Sequence, residues 1–198
     1  MALIAPAAAS QIHGSLEQLF TAVSRLGFAD VLEVALGAEE TTAHEAEEFR
    51  EKMNNGAKLM TTSCCPAYVE LVRKFLPDFM QFVSTTPSPM IFASELARKS
   101  LPGCKVVFIG PCVAKRMEAA RKNIDFVLSF EELFAMFAGQ GIDLMDCEPW
   151  PIARPAGMAA RNFARSCGVT EAVLQELGGF KDGFKLDAKA INGIDKKT

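Results

Sequence analysis

The chain has 198 residues, of which 49% are hydrophobic and 23% are charged. This composition is typical of a packed protein and excludes a disordered chain, and the length suits one domain or two small lobes around one core. The formal net charge of −3 argues against a nucleic-acid binder, which would usually carry a basic excess. We therefore predict a single folded domain over residues 1–198.

The sequence lacks the features that would direct a chain into a membrane or out of the cell. No run approaches the roughly 20 apolar residues of a membrane helix, and the apolar start, MALIAPAAAS, has no basic residues as a secretory signal would. Six cysteines in a chain of this kind are more typical of metal binding or catalysis than of disulfides. The sequence predicts a cytoplasmic protein with no membrane or nucleic-acid partner.

Five short apolar runs predict strands: Ala2–Ala5, Val31–Val34, Lys58–Thr62, Lys105–Ile109 and Ile124–Leu128. Helical patterns predict helices over Ser15–Leu26, with Ser15 as its N-cap, and over Pro66–Phe75, Met90–Ser100, Val113–Arg121, Phe130–Ala138, Met158–Ala164 and Thr170–Leu177. The charged segment Glu39–Asn54, which contains few large apolar residues, predicts a surface helix. Ser129, followed three residues later by Glu132, has the pattern of a capping box. The alternation of strands and helices implies an α/β fold, with a mainly parallel sheet flanked by helices on both faces.

Two cysteine motifs lie where a predicted strand is followed by a predicted helix. Cys64 and Cys65 follow the run Lys58–Thr62, and Cys112 follows Lys105–Ile109. Ligands in open α/β folds collect at the carboxyl ends of the strands, and a helix N-terminus favours thiolate, the form that ligates iron or zinc. We therefore predict that Cys65 and Cys112 bind one shared metal centre.

Free cysteines are also common as small buried apolar residues, and that alternative stays open for both motifs. It is the preferred interpretation for Cys104, Cys147 and Cys167, because none of these lies at a recognisable strand-to-helix turn. A disulfide between the adjacent Cys64 and Cys65 would be strained.

Lys115 and Glu118 follow Cys112 at intervals of three residues, so all three share one face of the predicted helix. An ammonium group there would stabilise a negatively charged cluster or bind an anion. An ordinary surface pair, worth about a few tenths of a kcal/mol, explains the spacing equally well. No GxGxxG, GxxxxGK[ST], HExxH or GxSxG motif is present, so nucleotide-binding, zinc-protease and serine-hydrolase functions have no support.

The two cysteine motifs resemble signatures of a known family, the catalytic domain of the [FeFe]-hydrogenase large subunit. The segment TSCCPAY at 62–68 resembles TSCCPxW, and GPCVAKRME at 110–118 resembles MPCxxKxxE. Four more segments of this sequence resemble segments of that domain: ALIAPAA at 2–8, LGFADVLEV at 26–34, TTPSPM at 85–90 and SCGVTEAVL at 166–174. The likeness covers most of the chain.

This resemblance implies two α/β lobes that hold the H-cluster, a [4Fe-4S] cubane joined through cysteine to a di-iron site. The implied reaction is the reversible reduction of protons to hydrogen. By position in the motifs, Cys65 and Cys112 would be ligands of the cubane, and Cys64 would be the proton-transfer thiol beside the di-iron site.

The resemblance also implies roles for polar residues around the cluster. Lys115 would hydrogen-bond a diatomic ligand of the di-iron site, and Glu118 belongs to the same motif. Ser88 matches a motif residue near the cluster. A ferredoxin-like domain or subunit would be the electron partner.

The sequence departs from the family pattern at several positions. Tyr68 replaces the motif's Trp, and Gly110 replaces a Met that packs beside the di-iron site in the family, so a wall of that site would be lost. Cys167 stands where the family often has Gly.

The third family signature, ExMxCxxGCxxGG, supplies the other two cluster cysteines and is absent here. The chain ends at Lys197-Thr198, shortly after Ile191-Asn192-Gly193, which resembles the segment leading to that signature. Cys147 and Cys167 have the wrong context to substitute. Because two cysteines do not close a cubane site, we expect an incomplete cluster.

Three functions follow from these observations. The first is a hydrogenase-like iron–sulfur domain that is incomplete or inactive as this chain. The second is a non-catalytic iron–sulfur, sensory or regulatory module, which the Trp-to-Tyr and Met-to-Gly changes favour. Relatives in eukaryotic cytosolic iron–sulfur assembly imply that the fold can lose hydrogen chemistry. The third, least favoured, is a plain α/β binding module with incidental thiols.

Overall fold

A parallel sheet of four short strands lies at the centre of the fold, and the computed structural model describes residues 1–122 and 124–178. The strands are β1 Ala2–Ile4, β2 Val31–Glu33, β3 Val107–Ile109 and β4 Phe126–Leu128, in the order β2–β1–β3–β4. In register, Leu3 lies opposite both Leu32 and Phe108. The predicted α/β fold with a parallel sheet is confirmed.

The helices of the described residues flank this sheet. They are α1 Ala8–Gln11, α2 Leu16–Arg25, α3 Val34–Asn54, α4 Pro66–Phe75, α5 Pro89–Ser100, α6 Ala114–Arg121, α7 Phe130–Gly139, α8 Met158–Arg161 and α9 Gly168–Glu176. The capping box at Ser129 is confirmed, because its hydroxyl accepts from the Glu132 amide while the Glu132 carboxylate accepts from the Ser129 amide. None of these helices is long and apolar enough to cross a membrane.

The main hydrophobic core packs around the sheet. Its fully buried large side chains include Leu3, Ile4, Leu19, Met90, Ile109 and Leu133. A second, smaller cluster of Ala35, Leu36, Ala38, Ala156 and Ala160 joins the start of α3 to α8. Helix α3 thus begins at the buried Val34, well before the predicted Glu39, because its first turns are as apolar as the strand that precedes them.

Helices α3 and α5 touch backbone to backbone at Gly37. A Cβ atom on Gly37 would lie 2.1 Å from the Pro89 carbonyl oxygen and 2.6 Å from the Ala93 nitrogen. The Thr41 hydroxyl hydrogen-bonds the Gly37 carbonyl at 3.0 Å and the Pro87 carbonyl at 3.2 Å. This contact fixes the N-terminal end of α5 on α3.

The run Lys58–Thr62 is not a strand of the sheet, so that prediction was wrong. Only Thr61 forms an isolated bridge, to Val83. The run lacks the buried face that a sheet strand needs, and its one large aliphatic residue, Leu59, is exposed. The Cys64–Cys65 turn therefore does not follow a strand of the sheet, whereas Cys112 does follow β3, as predicted.

Candidate metal centre

The ammonium group of Lys115 brings the two cysteine motifs together. Its Nζ forms an ion pair with Glu118 Oε2 at 2.6 Å and donates to Ser88 Oγ at 3.0 Å and to the Cys64 carbonyl oxygen at 3.3 Å. Lys115 and Ser88 are both buried. The alternative of an ordinary surface Lys–Glu pair is therefore wrong, since this lysine lies between the turns rather than in solvent.

The two predicted ligands lie at the N-terminal ends of the helices that Lys115 connects. Cys65 is the N-cap residue of α4, with Pro66 in the first turn. Cys112 lies in the turn between β3 and α6, and its carbonyl accepts from the Lys115 amide at 3.1 Å. Both cysteines are free thiols; Cys65 is exposed and Cys112 is partly buried.

The donor set at this place fits half of a cubane. A [4Fe-4S] cluster takes four thiolates, and the two motif turns supply Cys65 and Cys112. Within residues 1–122 and 124–178, no group of three or more His, Cys, Asp or Glu side chains is placed to hold a metal ion. The free thiols and the adjacent buried cation suit an anionic iron–sulfur cluster, but the site needs further ligands to close.

The Cys64 side chain is a partly buried thiol next to the predicted ligand Cys65. Burial raises its pKa to about 11, against the opposing influence of a hydrogen bond with the Thr62 side chain and of the Lys115 charge. Cys64 precedes the N-cap residue of α4, so the helix does not offset the cost of burying the charge. The side chain stays a protonated thiol at neutral pH, which suits proton transfer better than ligation.

A buried carboxylate next to this turn was missed by the sequence analysis. Glu45 on α3 is 1% exposed and accepts from Thr62 Oγ1 at 2.7 Å and from the Ser63 amide at 3.1 Å. Burial raises the pKa of Glu45.

A second carboxylate, Glu48, continues this arrangement one helical turn further along α3. It accepts from Ser84 Oγ at 2.6 Å and from the Thr85 amide at 2.9 Å, and it pairs with Lys52 Nζ at 3.0 Å. Burial opposes its ionisation, but hydrogen bonds led by Ser84 and Thr85 hold the pKa of Glu48 at about 2. Two groups of polar contacts on α3, one around Glu45 and one around Glu48, therefore lie between the Cys64 turn and the partly exposed Lys52.

The sequence contained a signal for the polar contacts of Glu45 and Glu48. Glu45 and Glu48 are three residues apart and so share a face of one helix, opposite the Thr- and Ser-rich loop 84–86. The segment was interpreted as a solvated surface helix because it contains few large apolar residues.

The space beside Gly110 is filled rather than open. A Cβ atom on Gly110 would lie 2.7 Å from the Ala5 Cβ and 3.0 Å from ring atoms of Phe108. Ala5, which follows β1, and Phe108 of β3 pack against Gly110 on this side. The loss of a wall of the di-iron site stays a prediction.

The remaining departures from the family pattern have local explanations. The Tyr68 hydroxyl donates to Thr61 Oγ1 at 2.8 Å, which ties α4 to the segment before the Cys64–Cys65 turn.

Cys167 has a φ of 68°, the left-handed conformation that glycine adopts most readily. It is exposed, so the prediction of a buried thiol was wrong for it. Cys147 is buried as predicted, and Cys104 is partly buried. The segment at 191–193 and the chain end lie outside the described residues.

Comparison with known proteins decides the family. A family model described as "Iron only hydrogenase large subunit, C-terminal domain" matches residues 1–197. The chain belongs to this family. It is 31% identical over 203 residues to iron hydrogenase 1 of Clostridium pasteurianum, covering 89% of this chain and 35% of that protein.

Other relatives show how widely this domain is shared. The periplasmic [Fe] hydrogenase large subunit of Nitratidesulfovibrio vulgaris is 27% identical, over 90% of this chain and 48% of its own length. The cytosolic Fe-S cluster assembly factor NAR1 of Kluyveromyces lactis is 31% identical over 85 residues, which are 41% of this chain and 18% of that protein. A solved variant of the [FeFe]-hydrogenase HydA1 from Chlamydomonas reinhardtii matches with a TM-score of 0.74 and 25% identity, over 98% of this chain and 56% of that one. The chain thus spans between about a third and a half of the length of the curated hydrogenases it matches.

Proposed function

We propose that this chain is an iron–sulfur domain of the H-cluster type, in which Cys65 and Cys112 supply two thiolates to a [4Fe-4S] cubane and which is incomplete on its own. The observation that carries the proposal is the buried Lys115, whose Nζ contacts the Cys64 carbonyl and Ser88 at once. A cation buried between two thiol-bearing turns lowers the cost of placing an anionic cluster there.

The residues around such a centre would have different roles. When bound, the cubane supplies one-electron transfer and the di-iron site supplies the hydrogen chemistry. Lys115 would donate a hydrogen bond to an anionic ligand, with Glu118 and Ser88 fixing its ammonium group. Cys64, as a neutral thiol, would hold the proton nearest the reacting centre.

Protons would reach Cys64 along the polar side chains on α3. Thr62 donates to Glu45 beside the Cys64 turn, and Glu48, one turn further along α3, accepts from Ser84 and pairs with the partly exposed Lys52. Glu45, whose pKa is raised by burial, would be the carboxyl group that contacts the Cys64–Cys65 turn, through Thr62 and Ser63.

An acidic, ferredoxin-like carrier in the cytoplasm is the electron partner that we propose. The exposed end of α4 carries Arg73, Lys74 and Phe75, and the end of α6 carries Arg121 and Lys122; Arg73 and Arg121 share the carboxylate of Glu70. A local basic surface with an apolar centre favours an acidic partner in an otherwise acidic chain.

Anaerobic reconstitution of the full chain with iron and sulfide tests the ligand assignment. We expect less than a full [4Fe-4S] complement per chain, measured by iron and sulfide counts and by the thiolate-to-iron absorbance. Cys65→Ser and Cys112→Ser should each abolish this loading, whereas the control Cys104→Ser should retain it.

Two outcomes would contradict this proposal. Stable loading with a full complement would show that no ligands are missing. Retained loading in Cys65→Ser would show that the ligand assignment is wrong.

A non-catalytic role is the second candidate, and the filled space at Gly110 favours it. Gly110 stands where the family motif has a Met, and Ala5 and Phe108 leave no room for a Cβ atom there. A reconstituted chain that is reduced and reoxidised reversibly but evolves no hydrogen from reduced viologen would support this candidate. Hydrogen evolution above the level of Cys65→Ser would rule it out.

A further inference from the structure

Helix α4, which begins beside Cys65, lies outside the two hydrophobic clusters of the described residues. Its buried residues are Pro66, Glu70 and Val72, and its last residue, Phe75, is exposed. Apolar packing of Val72 therefore holds one side of the helix, and the polar contacts of Glu70 add a directional restraint.

Glu70 makes the polar contact in the middle of α4. Its Oε1 accepts from Arg121 Nη1 at 2.5 Å, and its Oε2 accepts from Arg73 at 2.5 Å (Nη2) and 3.1 Å (Nε). Arg121 is the last residue of α6, the helix that follows Cys112, whereas Arg73 lies on α4 itself. The first contact therefore joins two helices, and the second stays within one.

We propose that Glu70 and Arg121 are positioning residues that hold the Cys65 turn against the Cys112 turn. Lys115 already joins the two helices near their N-terminal ends through the Cys64 carbonyl. The Glu70–Arg121 pair adds a second fixed point further along both helices. Two points prevent α4 from pivoting about Lys115, so together they set the separation of the two sulfur atoms.

Arg73 has a different part in this arrangement. It holds the Glu70 carboxylate in place but cannot restrain α4 relative to α6, because it belongs to α4. The two arginines are similarly exposed, at 52% and 55% of their side chains, and they contact the same carboxylate. Arg73→Gln is therefore a matched control for Arg121→Gln.

The test is the distance between nitroxide labels on Cys65 and Cys112, measured by dipolar EPR in the full chain without iron. The other four cysteines, Cys64, Cys104, Cys147 and Cys167, are replaced by Ala. We expect Arg121→Gln to broaden and lengthen the distance distribution, Arg121→Lys to restore much of it, and Arg73→Gln to leave it unchanged. Far-UV circular dichroism checks that each variant is folded.

An unchanged distribution in folded Arg121→Gln would overturn the proposal, as would an equal change in Arg73→Gln. The distance measurement needs no iron, so it can fail or succeed independently of the ligand assignment. The consequence of this inference for a cluster rests on the proposed function. A second readout follows reconstitution, where Arg121→Gln should lose bound iron relative to Arg73→Gln. Equal iron content in the two variants would contradict the positioning role.

Discussion

Gly110 is packed so closely that it leaves no room for any side chain. We expect Gly110→Ala to lower the free energy of unfolding by about 1–3 kcal/mol, because its Cβ would press on the Ala5 Cβ at 2.7 Å and on the buried Phe108 ring. Denaturant unfolding measures this change. The control is Gly139→Ala, where a Cβ would meet nothing within 4 Å and where stability should be unchanged or up to about 1 kcal/mol higher.

Adding Ala5→Gly to Gly110→Ala should recover part of the loss, since it removes the nearest obstructing atom. An additive effect of the two substitutions would contradict this explanation.

Cys167 is a non-glycine residue in the left-handed conformation, with a φ of 68°. We expect Cys167→Gly to raise the free energy of unfolding by up to about 1 kcal/mol by removing this strain. Cys167→Ala should change it little, because alanine keeps the Cβ atom that causes the strain. The two variants are compared by thermal unfolding, and equal effects would contradict the role of φ.

Sequence motifs identified the residues whose chemistry is local. Cys65, Cys112 and Lys115 lie in short contiguous signatures, and the structure places their turns together. The contact between Glu48 and Ser84 could not be predicted in the same way. These residues are 36 positions apart in the sequence, and their hydrogen bond depends on how α3 packs against a loop.

Helix α3 organises the loop at 84–86 through one carboxylate. Glu48 accepts hydrogen bonds from Ser84, Thr85 and Thr86. Without this anchor, the loop that leads to Ser88 and α5 would lose its attachment to the longest helix of the described residues.

The low pKa of Glu48 makes this attachment dependent on pH. Its value of about 2 in the folded chain lies below the ordinary 4.5, so the stabilisation is present above about pH 4.5 and is lost as the pH falls towards 2. We expect Glu48→Gln to be about 1–2 kcal/mol less stable than the natural chain at pH 7, and this gap should narrow over that window.

Urea unfolding at a series of pH values measures the gap. The control is Glu40→Gln, which makes the same replacement at an exposed residue of the same helix. A constant gap for Glu48→Gln would contradict the prediction.

Element boundaries were predicted best where local chemistry sets them. Ser15 and Ser129 cap their helices as expected, because a capping box is complete within four residues. The end of β2 was predicted one residue too late, since the apolar Val34 continues the run of the strand but is the first residue of α3. The run at 58–62 has strand-like residues but pairs only at Thr61, because it lacks the buried face that a strand of the sheet needs.

One buried ion pair joins distant parts of the molecule. Glu33, at the end of β2, is 4% exposed and accepts from Arg161 of α8 at 2.7 Å and 2.6 Å, and from the Ala156 amide at 3.2 Å. Removing Arg161 leaves this carboxylate buried without its main partner. We expect Arg161→Met to cost about 1–3 kcal/mol of unfolding free energy, less than a fully buried pair because Arg161 is partly exposed.

The matched control is Arg165→Met, which breaks the exposed pair with Glu171 and should cost about 0–1 kcal/mol. Chemical denaturation of both variants gives the comparison. A loss in Arg165→Met as large as that in Arg161→Met would contradict the importance of burial.

The sheet supports only one of the two cysteine turns. Cys112 follows β3 directly, whereas the Cys64–Cys65 turn is held by Glu45 of α3, by Thr86 and by Lys115. Periodicity predicted the α/β class because the strands are buried and short. Periodicity could not predict that one cysteine turn follows a strand while the other is held by polar contacts, because those contacts join segments far apart in the sequence.

The backbone contact at Gly37 has a consequence for engineering this chain. Any side chain there would push against the first turn of α5 and displace Ser88, which contacts Lys115 at 3.0 Å. Laboratory evolution aimed at heat resistance, where glycines in helices are frequent targets, would therefore disturb the contacts of Lys115 from a position that does not touch them. Mutant libraries for this domain should keep position 37 fixed.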